Sequence, residues 1–206
     1  MGFDLGHTIS SLSKLALRTK RKIDNEKSNK KVKVYELWMN HNYRTYEPTP
    51  KGGYKSYIFD GVPVKERNFD RIYPSKYKDE IDKPIGDVFS VEVSSFILNE
   101  KSYKILYPYI KNEAQIFKVK CENDNLYVVN ITNIIDCLDY DKSEIKRFPS
   151  SGRVMRVIKY VFKIEKLRNT TIFKLPEFPK GISYVTENFK NIVEKNNIKG
   201  FKFKEL

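Results

Sequence analysis

"FILNEKSYKILYPYIKNEAQIFKVKCENDNLYVVNIT", residues 96–132, decides the fold. Its opening, within "SSFIL", reads as a short strand. Asn99 then stands where a helix N-cap stands, ahead of "EKSYKILYPYIK", because its short side chain can accept from a free N–H of the first turn. Tyr103, Leu106 and Ile110 fall on one face of that helix, and Pro108 sits late enough to affect only its last turn. "QIFKVKC" sets Phe117, Val119 and Cys121 against Lys118 and Lys120. That period of two predicts a strand, "ENDN" a turn and "LYVVNIT" the returning strand of a hairpin.

Outward from this unit the punctuation continues. "VKVYELWM" (32–39) is rich in strand formers and predicts a strand at the start of the folded body. "RTYEPTPKGGYKS" is a loop, "YIFDGV" a short strand ending at a turn, and residues 61–88, with Pro63, Pro74, Pro84 and Gly86, irregular chain with a short helix. "VMRVIKYVFKIEKL" places Ile158, Tyr160, Phe162 and Ile164 at alternate positions and predicts one long half-buried strand. "TIFKLPEF" adds a strand stopped by Pro176. In the closing stretch Thr186 is placed to cap a helix burying Phe189, Ile192 and Val193. Asn196, Asn197 and Gly200 end that helix, and "FKF" is a last strand. Strand, capped helix and strand thus follow in the same order as in 96–121, with Thr186-Glu187 matching Asn99-Glu100. Shared architecture accounts for that echo as well as duplication does.

The expected fold class is α+β, a largely antiparallel sheet with a few packed helices over residues 32–206, preceded by a basic extension, 1–31. In the extension Ile9, Leu12, Leu15 and Ala16 have helical spacing and are followed by Arg18, Lys20, Arg21 and Lys22. It carries 8 cations and 3 acids, +5 of the total. Such a helix can touch a membrane or nucleic acid; the reading taken is a terminal helix on a polar linker.

The whole chain of 206 residues has 39 Lys+Arg against 26 Asp+Glu, a net charge of +13. That balance favours an acidic partner, whether nucleic acid, anionic lipid or protein; a lysine-rich soluble surface gives the same count. Cys121 and Cys137 admit one disulfide at most and are read as reduced, partly buried thiols of a cytoplasmic protein. With His7 and His41 the only histidines, no zinc spacing can be written. No apolar run reaches about 18 residues, so no membrane span is expected, and "MGFDLGHTIS" lacks the apolar segment of a signal peptide.

The stretch that most resembles chemistry is "DCLDYDKSEIK", 136–146. A Mg²⁺-dependent nuclease needs carboxylates for the metal and a lysine near the attacking water. Asp136, Glu144 and Lys146 supply those residue types. Yet Glu-x-Lys is a common pattern in a chain this rich in both residues, and the acids crowd into one local run. The reading preferred is a turn capped by Asp136 and Asp139 with a solvated "DYDKSE". No P-loop, dinucleotide fingerprint or Cys-His pairing is legible, so no catalytic, cofactor or metal residue is assigned. A nucleic-acid role would rest on "YELWMNHNYRTY" and "SSGRVMRVIKY", where Arg, Lys, Tyr and Trp38 mix.

From residue 32 onward the order of segments resembles the Imm-eleven family of bacterial polymorphic-toxin immunity proteins. The resemblance rests on "VKVYELW", "VEVSSFILNEKSYKIL", "YVVNITNIIDCLDYDKSE" with its Leu138, Asp139 and Ser143, and "TIFKLPEF…ISYVTENFKNIVEKNNIKGFKF" with Gly200 and Phe201. It implies an α+β domain that is not an enzyme, and that binds and neutralises a cognate toxin by stoichiometric occlusion. It also implies that Asp139 and Ser143 pin a turn between strands. The basic charge suggests a toxin with an acidic surface. The expected contact residues are Lys146, Arg147, Arg153 and Arg156, with aromatic side chains at the centre. The alternatives are a basic nucleic-acid-binding protein and a metal-dependent nuclease.

Overall fold

The central stretch folds as its pattern predicts. The computed structural model describes residues 32–47, 61–64, 71–92 and 95–206. The helix expected near Ile9–Ala16 and the strand expected at 57–60 lie outside the described residues. The chain runs β1 (Val34–Met39), β2 (Tyr46–Glu47), β3 (Tyr73–Pro74), α1 (Lys78–Ile81), β4 (Val88–Glu92), β5 (Ser95–Leu98), α2 (Glu100–Ile110), β6 (Ala114–Cys121) and β7 (Asp124–Ile131). It continues through β8 (Glu144–Arg147), β9 (Val154–Lys159), a 3-10 turn (Ile164–Leu167), β10 (Ile172–Phe173), β11 (Ser183–Thr186), α3 (Glu187–Lys195) and β12 (Phe201–Glu205). These elements all lie in one compact unit, Lys33–Leu206. The class is α+β, with antiparallel strand pairs throughout the two main sheets.

Sheet I has the order β4-β5-β7-β6 and sheet II the order β10-β11-β1-β12. In sheet I, β5 and β6 are joined through α2 and separated by β7. In sheet II, β11 and β12 are joined through α3 and separated by β1. Each unit is therefore a strand–helix–strand crossover with a third, antiparallel strand inserted in the gap. The echo between the two sequence stretches is real at the level of topology.

Alternation along the strands sorts the side chains. Phe96, Leu98, Tyr127, Val129 and Ile131 of sheet I face one core with Tyr35, Leu37, Ile172 and Val185 of sheet II. Leu106 and Ile110 of α2 and Phe189 and Val193 of α3 complete it. The opposite face of sheet I is buried as well: Phe89, Ile97, Phe117, Val119, Leu126 and Val128 pack with Ile72. Burying each such side chain contributes about 1.5–3 kcal/mol, so this core holds the two sheets to each other.

Polar groups fix the joints. The Asn99 side chain accepts from the Ser102 N–H at 2.8 Å and caps α2 as expected. Asp87 accepts from the Asn99 amide at 3.1 Å, the Lys101 ammonium at 3.1 Å and the Lys199 N–H at 2.9 Å. It thereby ties the start of sheet I to the turn before β12. Glu113 accepts from the Ile172 N–H at 2.8 Å and the Thr171 N–H at 2.9 Å. Burial holds its carboxyl above the usual range against those two bonds. Gly200 has φ of +119° beside Val88, and an added Cβ would overlap the Val88 carbonyl oxygen. Only glycine fits there.

Three expectations need correction. The long strand read in "VMRVIKYVFKIEKL" ends at Lys159, and Ile164–Leu167 is a 3-10 turn. Among the described residues its ladder partner is β8 alone, and Tyr160 and Phe162 leave the ladder to pack on sheet II. Ile158, expected on the buried face, is 52% exposed. Thr186 precedes α3 but makes no side-chain cap; its hydroxyl donates to the Thr170 carbonyl at 2.8 Å instead.

Candidate partner-binding site

The acidic stretch 136–146 is the root of a hairpin. The Asp139 N–H donates to the Val161 carbonyl at 2.8 Å and the Lys163 N–H to the Cys137 carbonyl at 2.7 Å. Leu138 bridges to Phe162 in the same antiparallel sense. Beyond this stem the chain turns. The Ser143 N–H donates to the Asp139 carbonyl at 2.9 Å, and the Ser143 hydroxyl accepts from the Val161 N–H at 3.0 Å. The Asp139 carboxylate meets the Lys142 ammonium at 3.0 Å, and that bond first, then the Lys142 and Asp141 N–H groups, hold it below the usual carboxylate range. Asp139 and Ser143 pin the turn, as the resemblance implies.

The residue types expected for a nuclease have other work. Asp136 pairs with Lys166 at 3.6 Å. Glu144 and Lys146 both lie on β8, with Glu144 opposite Lys159 and Lys146 opposite Arg156. Among the described residues no three His, Cys, Asp or Glu side chains stand close enough together to hold a metal ion. Cys121 and Cys137 are free and buried. Burial pushes their thiols up to about 11 and about 12, which keeps them protonated and unreactive. His41 lies in an exposed turn.

Strands β8 and β9 pair with each other and with neither main sheet. Residues 144–159 hold five cations (Lys146, Arg147, Arg153, Arg156, Lys159) and one acid (Glu144). All five cations are exposed. Lys146 lies directly opposite Arg156, and the register shifts between Lys146 and Arg147. Such an irregularity re-aims side chains. Two cations opposite each other on a ladder are destabilising. Among the described residues no carboxylate pairs with Lys146, Arg147, Arg153 or Arg156. The Arg147 guanidinium lies 5.5 Å from the Tyr140 ring centre and donates to the Gly152 carbonyl at 2.9 Å. The Tyr140 hydroxyl donates to Glu177, and burial together with that carboxylate pushes it up to about 12. Phe148 and Ile158 add exposed apolar surface to the same arm.

The four residues expected at the contact surface therefore stand together, on one arm. Sequence reasoning missed that β8 exists. Its signal was the short alternation in "EIK" facing "RVMRVIK" across "FPSSGR", where Gly152 has φ of +67°.

The arm is thus a cationic hairpin whose Lys146, Arg147, Arg153 and Arg156 have no carboxylate partner among the described residues. The family model of the immunity protein family (Imm11) matches residues 113–206, which include the arm and most of sheet II. That match bears out the resemblance over those residues and supports an immunity-protein role in general. No curated protein matches the chain. No helix among the described residues is long and apolar enough to cross a membrane.

Proposed function

We propose that this protein binds one bacterial toxin and neutralises it by stoichiometric occlusion, laying the β8–β9 arm over the toxin's active site or substrate groove. It does so without turnover, in the cytoplasm where the toxin is made. The observation that carries this reading is the arm itself: Lys146, Arg147, Arg153 and Arg156 on a ladder that no sheet supports. A like-charge pair costs the free protein stability, and an acidic partner removes that cost. The partner surface is accordingly acidic. Opposite charge speeds encounter and fixes register.

A second reading has one observation in its favour. A two-stranded basic ribbon has the dimensions to enter the major groove of duplex DNA. The reading as a toxin binder is preferred because of the immunity-family match over the same residues.

The test is co-expression with the toxin domain encoded beside this chain, with cell survival as the readout. The unaltered protein protects. A variant with K146S, R147S, R153S and R156S keeps its fold by circular dichroism and loses protection. Full protection by that variant removes the arm from the interface, and no protection by the unaltered protein removes the function. Affinity for duplex DNA that persists at moderate salt with a steep salt slope supports the second reading instead.

A further inference from the structure

The arm is not the only cationic surface. Sheet II buries one face in the core, and its other face is covered on one half only. Over β10 and β11, Tyr160 and Phe162 pack on Tyr184 and Phe173, with ring centres 5.8 Å apart for Tyr160–Tyr184 and 6.3 Å for Phe162–Phe173. Among the described residues that aromatic cover does not extend over β1 and β12. There Glu36 stands between Tyr184 on β11 and Lys204 on β12, and Trp38 stands opposite Lys202.

Trp38 is 41% exposed, at a position where β1 pairs with β12 and has run past its ladder with β11, while Tyr35 and Leu37 on the same strand are buried. The Glu36 carboxylate, itself only 6% exposed, accepts from the Trp38 indole N–H at 3.0 Å and from the Lys204 ammonium at 3.1 Å. One oxygen thus fixes both groups. The indole has its donor satisfied inside the protein and offers outward only an apolar, pre-ordered surface. A side chain already held loses little freedom when a partner covers it.

This face joins the arm. β9 runs directly into Tyr160, whose hydroxyl lies 3.1 Å from that of Tyr184 on the same sheet face. Cations flank both surfaces, and among the described residues of β1 and β12 the acid on the side of Trp38, Lys202 and Lys204 is Glu36, which is buried and engaged by two of them.

We infer that Trp38, flanked by Lys202 and Lys204, is the apolar anchor of the same interface, and that an acidic protein surface gripping the β8–β9 arm packs an apolar side chain against its indole. This rests on the reading of the chain as a toxin binder. The arm steers the encounter, and the indole holds the complex. Tryptophan is enriched at the centres of protein interfaces for this reason: large area, little entropy to lose.

The chain contains one tryptophan, so labelling with 5-fluorotryptophan gives a single fluorine resonance, that of Trp38. The probe is the toxin domain encoded beside this chain. At saturation the resonance shifts and becomes protected from a soluble nitroxide quencher. W38A weakens binding about 30-fold or more, while W38F retains most of the affinity and both variants keep the thermal midpoint within a few degrees. A resonance that stays put and quenchable at saturation, or W38A binding within about twofold of the parent, overturns the anchor and leaves the arm standing. If the unaltered protein does not bind the toxin domain, the functional reading and the anchor fall together. A resonance that moves with duplex DNA and not with the toxin domain also overturns it.

Discussion

The molecule contains one motif twice, used differently. In the β5–α2–β6 unit the inserted strand is β7, the next strand in the chain, joined to β6 by a tight turn. In the β11–α3–β12 unit the inserted strand is β1, from the far end of the described residues. The first unit has a side-chain cap on its helix and apolar packing on both sheet faces. The second has no side-chain cap and leaves Trp38, Lys202 and Lys204 exposed on one face. The difference separates scaffold from surface. The locally connected unit spends its apolar residues on closure, and the unit closed from a distance presents Trp38 and stands beside the basic arm.

Breaking the second unit gives the largest effect. Gly200→Ala forces a side chain into a positive-φ position against Val88 and destabilises by roughly 3 kcal/mol or more, read by urea denaturation. Asp87 joins the two units, and Asp87→Ala leaves the Lys199 N–H without its acceptor at a cost of about 2 kcal/mol. Burial alone would raise the Asp87 carboxyl, but the Lys199 N–H, the Asn99 amide and the Lys101 ammonium outweigh it and hold the carboxyl below its ordinary 3.8. A depressed carboxyl contributes its full stability above the unfolded value and loses it as pH falls through the folded one. The parent therefore loses stability on acidification below about pH 3.8, and the variant shows a shallower slope over that range.

The helix starts sharpen the comparison. Asn99→Ala removes a side-chain cap and costs about 1–2 kcal/mol. Thr186→Val removes only a hydroxyl donated to Thr170 and costs about 1 kcal/mol or less. An equal loss in both would mean that the two helix starts are equivalent. The smallest effect belongs to the arm: K146S with R156S changes folding stability by less than about 0.5 kcal/mol, because it relieves a like-charge pair, while toxin protection falls. A large stability loss there would make the arm part of the scaffold.

These contrasts track what was legible in the sequence. The first unit was readable because its contacts are local. Asn99 sits next to the helix it caps, and Phe117, Val119 and Cys121 alternate within one strand. The insertion of β1 between β11 and β12 pairs residues such as Glu36 and Lys204 that no local pattern connects. The period of two in "VMRVIKYVFKIEKL" was real but served two surfaces. Up to Lys159 it serves the arm; Tyr160 and Phe162 serve sheet II. Thr186 has a good capping residue's chemistry and spends it on Thr170. The contact residues were picked for charge, and their gathering on one arm depended on a strand, β8, whose four residues are too few to announce themselves. Trp38 was visible as an aromatic among basic residues, but the glutamate that orients it faces the same way only once the strand's parity is known.

The stem at Cys137–Asp139 and Val161–Lys163 closes its ladder before the cationic strands begin. Beyond it, among the described residues, β8 and β9 share no ladder with either main sheet, and Tyr140, through Glu177, tethers this side back to the body. Substitutions at the cationic positions of this tongue are therefore expected to leave the body's unfolding midpoint nearly unchanged.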